Sequence, residues 1–352
     1  MRALRVALTA DPYIPVPPRL YGGIERVVDL LARGLAARGH RITLIAHPES
    51  RVPGRLIPYG VPPHVGLVPR AVELWQVGSA VWRSRADVDI VHSFGRLAAL
   101  LPILPVRRLP KVQSYHRPTV PWKGVRRAVR LAGDSICFTS CSASVQRGHG
   151  GAPGIEGRWH VVFNAVSLNG YSAVASVPPD APLVFLGKLE PMKGAHSAIV
   201  IARAARRRLV IAGNRAEAGP DAEYFEREIA PHVDGHAVQY VGPVDDEQKN
   251  ALLGSALALL FPTSWEEAFG LVMTEAMACG TPVIAFARGA VPEVIHDGVT
   301  GFVCRDVSEA VRAVSRLHLI DRKAVRAECE ARFGEAAMVD AYERLYLDMV
   351  AR

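Results

Sequence analysis

Thr263-Ser-Trp-Glu-Glu-Ala-Phe-Gly-Leu-Val-Met-Thr-Glu-Ala-Met-Ala-Cys-Gly-Thr-Pro-Val283 follows one short apolar run, Ala256–Phe261, and leads into another, Pro282–Phe286. Apolar runs of this length bounded by Gly and Pro read as buried strands. Between them the chain turns at Phe269-Gly270 and enters a helix that ends at Gly280. A strand, a helix and a second strand form the unit of a parallel sheet. In such a sheet the ligand sits beyond the strand ends, where the free amides of Gly270, Leu271 and Val272 at the helix start would point. Amides so placed suit a phosphate.

The same rhythm runs outward in both directions. Toward the N-terminus, strands are predicted near Leu183–Gly187, Leu209–Gly213 and Val238–Val241, then near Arg5–Thr9, Arg41–Ala46, Asp89–His92, Lys111–Tyr115, Ser135–Thr139 and His160–Phe163. A helix from about Gly22 to Ala37 carries Ile24, Val27, Val28, Leu31 and Leu35 on one face. Another, from Glu335 to Val350, has Ala336, Val339, Tyr342, Leu345, Tyr346 and Met349 at core spacing. The stretch from Asn164 to Pro182 follows neither period and reads as a linker. The expectation is an α/β chain of two Rossmann-like, doubly wound parallel-sheet domains, residues 1–168 and 169–334, with a C-terminal helix at 335–352 packing back on the first.

Composition limits the function classes. The 352 residues exceed what one core usually fills, at roughly 150 residues per domain. With 49% hydrophobic and 22% charged residues the chain reads as globular. No run approaches the ~18 to 20 apolar residues that span a bilayer, and Met1–Tyr13 breaks too early, at Asp11-Pro12, for a signal peptide. Five cysteines without C-x-x-C spacing argue against a disulfide framework or zinc site and point to a reducing, cytoplasmic compartment. A net charge of +8 favours anionic substrates or surfaces, but no nucleic-acid signature accompanies it.

Three further segments carry chemistry. Phe185-Leu-Gly-Lys188-Leu-Glu-Pro-Met-Lys193-Gly194 sets two ammonium groups between a strand and a helix, where they could flank a diphosphate. Leu20-Tyr21-Gly22-Gly23-Ile24 opens the first helix on a glycine pair, which permits close backbone approach to a ligand or simply makes a turn. His116 directly follows an apolar strand, a place where packing or hydrogen bonding is the ordinary role. Glu275, early in its helix, could accept from a ribose diol, and Glu267 from a sugar hydroxyl; alone, the first would only complement the helix dipole.

Glu267-Ala-Phe-Gly-Leu-Val-Met-Thr-Glu275-Ala-Met-Ala-Cys-Gly-Thr-Pro resembles the E-x7-E region of the family 4 retaining glycosyltransferases, which have the GT-B fold of two domains facing each other across a cleft. Glu267, not Glu266, has the spacing. The resemblance implies that Glu267 contacts the donor sugar, Glu275 the ribose, and Phe269, Gly270 and Leu271 the donor. It implies that Lys188 and Lys193, similar to the family's G-R-L-x-x-x-K-G element with Lys188 in place of arginine, neutralise the departing diphosphate. It further implies that Gly22 and Gly23 close over the donor phosphates, that His116 lines the sugar pocket, and that Asn164-Ala-Val166 is a hinge with Ala165 where glycine is usual. Lys188, Lys193 and Glu267 are thus the expected catalytic residues, without metal or other cofactor. The reaction would move a sugar from a nucleotide-diphosphate sugar to an acceptor hydroxyl with retention, by same-face attack.

Other signals have ordinary readings. Asp87-Val-Asp89 precedes a strand and reads as a strand-entry turn, and Asp245-Asp246-Glu247 as a helix cap. Trp122–Leu131 is a basic amphipathic stretch that would allow peripheral contact with anionic lipid, although a solvated helix explains it as well. An epimerase or phosphorylase of the same fold, or a non-catalytic sugar-nucleotide-binding protein, are the competing functions.

Overall fold

The computed structural model describes residues 2–19, 22–60, 67–147 and 156–352, so Leu20 and Tyr21 of the glycine segment lie outside the described residues. The chain divides into two compact units: Met1–Ala165 with Glu335–Arg352, and Val166–Gly334. The division falls within the Asn164-Ala-Val166 segment.

The first unit is built on seven parallel strands: β1 (Arg5–Thr9), β2 (Arg41–Ala46), β3 (Gly54–Pro58), β4 (Ile90–Ser93), β5 (Lys111–Tyr115), β6 (Ile136–Ser140) and β7 (Trp159–Val161). They lie in the order β3-β2-β1-β4-β5-β6-β7, so the strand order reverses between β1 and β4. The second unit has six: β8 (Leu183–Leu186), β9 (Leu209–Ala212), β10 (Val238–Tyr240), β11 (Ala258–Phe261), β12 (Val283–Phe286) and β13 (Gly301–Cys304). Their order is β10-β9-β8-β11-β12-β13, and the reversal falls between β8 and β11. Every paired strand is parallel. The central strands of the second sheet, β8, β9, β11 and β12, are continuous apolar runs, as expected where helices cover both faces, whereas β4 and β5 of the first carry buried polar residues such as His92, Lys111 and Gln113.

Two strands, β3 and β13, were not expected from the sequence. Both are edge strands. β3 is half exposed along its length, so it needs no unbroken apolar run. β13 opens on Gly301 at φ +155°, where a Cβ would lie 1.9 Å from the Val283 carbonyl oxygen, so a glycine that reads as a turn signal is required by strand packing.

The helix Glu335–Ala351 belongs to the first unit, where it packs on the helix Gly23–Ala37. A Cβ at Gly34 would stand 2.4 Å from Val339 Cγ2, so that glycine lets the two helices approach. Their ends are tied by Arg38 to Asp340 at 2.6 Å and by His40 to Glu343 at 2.8 Å. Under the sheet, the Tyr346 hydroxyl meets His92 Nδ1, and the Ser114 hydroxyl meets His92 Nε2 at 2.6 Å. The Trp122–Ala132 helix buries Val125, Ala128 and Ala132 within its own unit, which accounts for its amphipathic pattern; Lys123, Arg126, Arg127 and Arg130 are exposed. Asp89, in its strand-entry turn, accepts from the Arg5 amide at 2.7 Å and joins the starts of β1 and β4. Asp245 forms a capping box with Gln248.

In the second unit the buried Arg322 guanidinium has, among the described residues, four acceptors and no carboxylate partner. It donates to the carbonyls of Val174, Ala256 and Gly254 at 2.7, 2.9 and 2.9 Å and to the Thr281 hydroxyl at 2.8 Å. Arg322→Ala would strand these acceptors and should cost about 3 kcal/mol, read as lost hydrogen-exchange protection of the β8 and β11 amides; unchanged protection would contradict this.

Burial pushes His92 well below the usual histidine range and His116 down to about 4. Both are neutral in the native state at pH values where the unfolded chain takes up protons. Their contribution to stability is therefore complete above about 6.5 and is lost as pH falls, by about 1.4 kcal/mol per pH unit for each ring. In a Trp265→Phe background the remaining tryptophans, at 75, 82, 122 and 159, all report on the first unit. Adding His92→Gln there should flatten the decline of the denaturation midpoint between pH 6.5 and 5; an equal slope with and without His92 would refute the assignment.

Candidate functional site

The loops that follow β8 and β11 leave adjacent strands where the order of the second sheet reverses, the position at which doubly wound sheets receive ligands. The first loop carries Lys188 and Lys193, the second Glu266, Glu267 and Phe269. They are stitched together. Thr263 Oγ1 and the Ser264 amide both donate to the Met192 carbonyl, at 3.0 and 2.9 Å. Gly194, at φ +82°, lies so close that a Cβ would stand 2.1 Å from the Pro262 carbonyl oxygen. This stitching brings Lys193 Nζ to 2.7 Å from Glu267 Oε2.

The neighbouring glutamates have different surroundings. Glu266 is exposed, and its carboxylate accepts from the Gly289 amide at 2.8 Å, bracing the next loop. Glu267 is mostly buried and meets Lys193, while its carbonyl accepts from the Ala290 amide at 2.8 Å. Lys188 is more open, with 43% of its side chain exposed and Glu190 3.8 Å away.

Gly270 takes the left-handed conformation, φ +78°, and starts the helix Leu271–Ala278. The amides of Leu271 and Val272 lie in its first turn, where an α-helix leaves its N–H groups without intrahelical partners. The left-handed conformation at Gly270 favours glycine. Phe269, expected to touch a donor, is buried edge-on against Phe333 with ring centroids 5.7 Å apart. Its ring anchors the loop in the core.

Glu275, one turn into the helix, is held by two groups not singled out from the sequence. Its Oε1 accepts from Lys249 Nζ at 2.6 Å and from the Tyr171 hydroxyl at 2.9 Å. Tyr171 sits in the stretch read as a linker, and Lys249 in a helix read only for its cap. The acid partner of Lys249 across the fold is 26 positions away in sequence, so no local pattern announces the pair.

The remaining expected residues belong to the first unit. Gly22, at φ +149°, caps the helix Gly23–Ala37, and a Cβ there would strike Pro18 at 2.7 Å. Gly23 is the first helical residue. The His116 ring stacks on Phe94 at 5.5 Å, and its nitrogens are buried, with the Asn164 side chain as the neighbour that favours the protonated ring against burial. Near the reversal between β1 and β4 lies Asp11, read from the sequence only as a strand break; burial raises its carboxyl pKa, opposed by Arg96. Glu25 is raised for the same reason.

Among the described residues no group of three His, Cys, Asp or Glu side chains stands where it could hold a metal ion. Among the same residues no helix is long and apolar enough to cross a membrane. What the second unit offers is ammonium groups, helix-start amides and two carboxylates, a set that can bind a diphosphate and hydroxyls.

The pattern of the family described as "Glycosyl transferases group 1" matches residues 175–337, and that of "Glycosyltransferase Family 4" matches residues 21–169. The chain is 28% identical to a glycogen synthase of Mycobacterium tuberculosis over 88% of its own length and 85% of the relative's. It is likewise 28% identical to a phosphatidyl-myo-inositol mannosyltransferase of Propionibacterium freudenreichii, over 89% and 86%. The crystal structure of AviGT4, a glycosyltransferase of avilamycin A biosynthesis, superposes with a TM-score of 0.74 at 26% identity, covering 99% of this chain and 98% of that one. With two doubly wound parallel sheets and two family patterns that divide almost its whole length between them, this chain belongs to the family 4 glycosyltransferases of the GT-B fold.

Proposed function

We propose that the chain transfers a sugar, with retention and without metal or other cofactor, from a nucleotide-diphosphate sugar gripped by its second unit to an acceptor hydroxyl. The observation that carries this reading is the convergence of the Lys193 loop, Glu267 and the Gly270 helix start at the reversal between β8 and β11. Lys193 and Glu267 neutralise each other at 2.7 Å. A donor that offers a phosphate oxygen to Lys193 and a sugar hydroxyl to Glu267 satisfies both without stranding either.

Breaking the sugar–diphosphate bond builds negative charge on the leaving phosphate. Preorganised cations and amides stabilise that charge with no reorganisation at the moment of reaction. Lys193, Lys188 and the amides of Leu271 and Val272 are assigned this role, and Glu275 accepts from the ribose. The departing phosphate then helps deprotonate the acceptor, which attacks from the same face. On the first unit, Gly22, Gly23 and His116 are assigned to the phosphates and sugar of the donor. The relatives are named for glycogen, phosphatidyl-myo-inositol and avilamycin A.

Thermal-shift screening with UDP-, GDP- and ADP-sugars should find a stabilising donor. Glu275→Ala is then expected to weaken nucleoside-diphosphate binding about tenfold or more, the worth of hydrogen bonds to a charged group. Lys193→Ala should lower kcat about a hundredfold with a smaller effect on KM, as for the loss of a transition-state donor. Unchanged binding in the first variant and unchanged turnover in the second would reject the site.

A further inference from the structure

Glu275 has only part of its acceptor capacity left for a ligand. A carboxylate offers about four lone-pair sites, two on each oxygen. Two donors, Lys249 Nζ at 2.6 Å and Tyr171 Oη at 2.9 Å, both point at Oε1, and among the described residues no protein donor reaches Oε2. The ion pair is largely desolvated, with 11% of the Lys249 side chain and 13% of the Glu275 side chain exposed. Lys249 is itself fixed from behind by Asp246 Oδ1 at 3.2 Å, one turn earlier on its own helix. That helix, Asp246–Ser255, starts on the Asp245 capping box and packs against the helix Leu271–Ala278. The Tyr171 ring lies 5.5 Å from the Lys249 ammonium.

We propose that Lys249 and Tyr171 are positioning residues for nucleotide recognition, saturating Oε1 of Glu275 so that Oε2 is the oxygen that accepts from the ribose hydroxyls. The proposal rests on the assignment of Glu275 to the ribose. A glutamate with three free torsions would have to be ordered when the nucleotide binds. One already clamped by an ammonium and a phenol carries that ordering in the unliganded fold, and the preference for a ribose diol over a deoxyribose follows from it. Lys249 touches neither the sugar being transferred nor the phosphates in this scheme, so its removal should act on ribose discrimination and not on the chemical step.

The test is calorimetric titration of the full chain with UDP, GDP and ADP and with their 2′-deoxy and 3′-deoxy counterparts. The wild type should bind at least one ribonucleotide about tenfold or more tightly than a deoxy counterpart, as expected for hydrogen bonds to a charged acceptor. Lys249→Met should bring that ratio close to one, Lys249→Arg should keep most of it, and Tyr171→Phe, which removes a single hydroxyl, should lower it by a smaller factor. A wild-type ratio near one would overturn the ribose assignment and this proposal with it. A large wild-type ratio that survives in both Lys249→Met and Tyr171→Phe would overturn the positioning role while leaving the ribose assignment standing. Should Lys249→Met fold poorly, Tyr171→Phe decides alone.

Discussion

Lys193 and Glu267 meet because two loops leave neighbouring strands at the single place where the second sheet reverses its order. The constraint is steric before it is electrostatic. Gly194 pressed on the Pro262 carbonyl, and Met192 receiving two hydrogen bonds from Thr263 and Ser264, leave the loops little freedom. The ammonium and carboxylate then close at 2.7 Å in a partly buried setting, where a charge without a partner would be costly. Gly270 and the buried Phe269 fix the next step of the chain, so the helix-start amides follow the same loop. The chemistry assigned to the second unit depends on this stitching more than on any one charged group.

A second level of order stands behind it. Glu275 is clamped by Lys249 and Tyr171, and Glu266 braces the loop at Gly289 whose neighbour Ala290 donates to the Glu267 carbonyl. Buried polar groups of this kind are hydrogen-bonded as a rule, and fully satisfied networks hold side chains in one geometry. The first unit uses the same device beneath its sheet, where His92 joins Ser114 to Tyr346 of the final helix. There the network secures a returning helix; in the second unit it orients carboxylates.

Much of this was legible in the residues. The central strands of the second sheet, β8, β9, β11 and β12, were legible as unbroken apolar runs, because a strand covered on both faces is ordinarily apolar. β3 and β13 escaped since an edge strand tolerates exposed or glycine positions. Glu267, Glu275, Lys188 and Lys193 were singled out through the resemblance to the family's motifs; the structure brings Lys193 and Glu267 together and gives Glu266 a different partner, the Gly289 amide. The burial of the Phe269 ring was not legible, because it meets Phe333, 64 positions later and outside any local pattern. Lys249, Tyr171 and Arg322 went unnoticed for the same reason: each acts across the fold, and nothing in the local sequence of a lysine in a helix or a tyrosine in a linker reveals that it turns inward.

The central claim is that a nucleoside diphosphate binds at the β8–β11 reversal. Amide hydrogen exchange of the full chain with and without saturating UDP, GDP or ADP tests it most directly. The account predicts added protection in residues 187–194 and 265–275 with the nucleotide that binds. Protection confined to other parts of the second sheet, with those two loops exchanging as before, would contradict it.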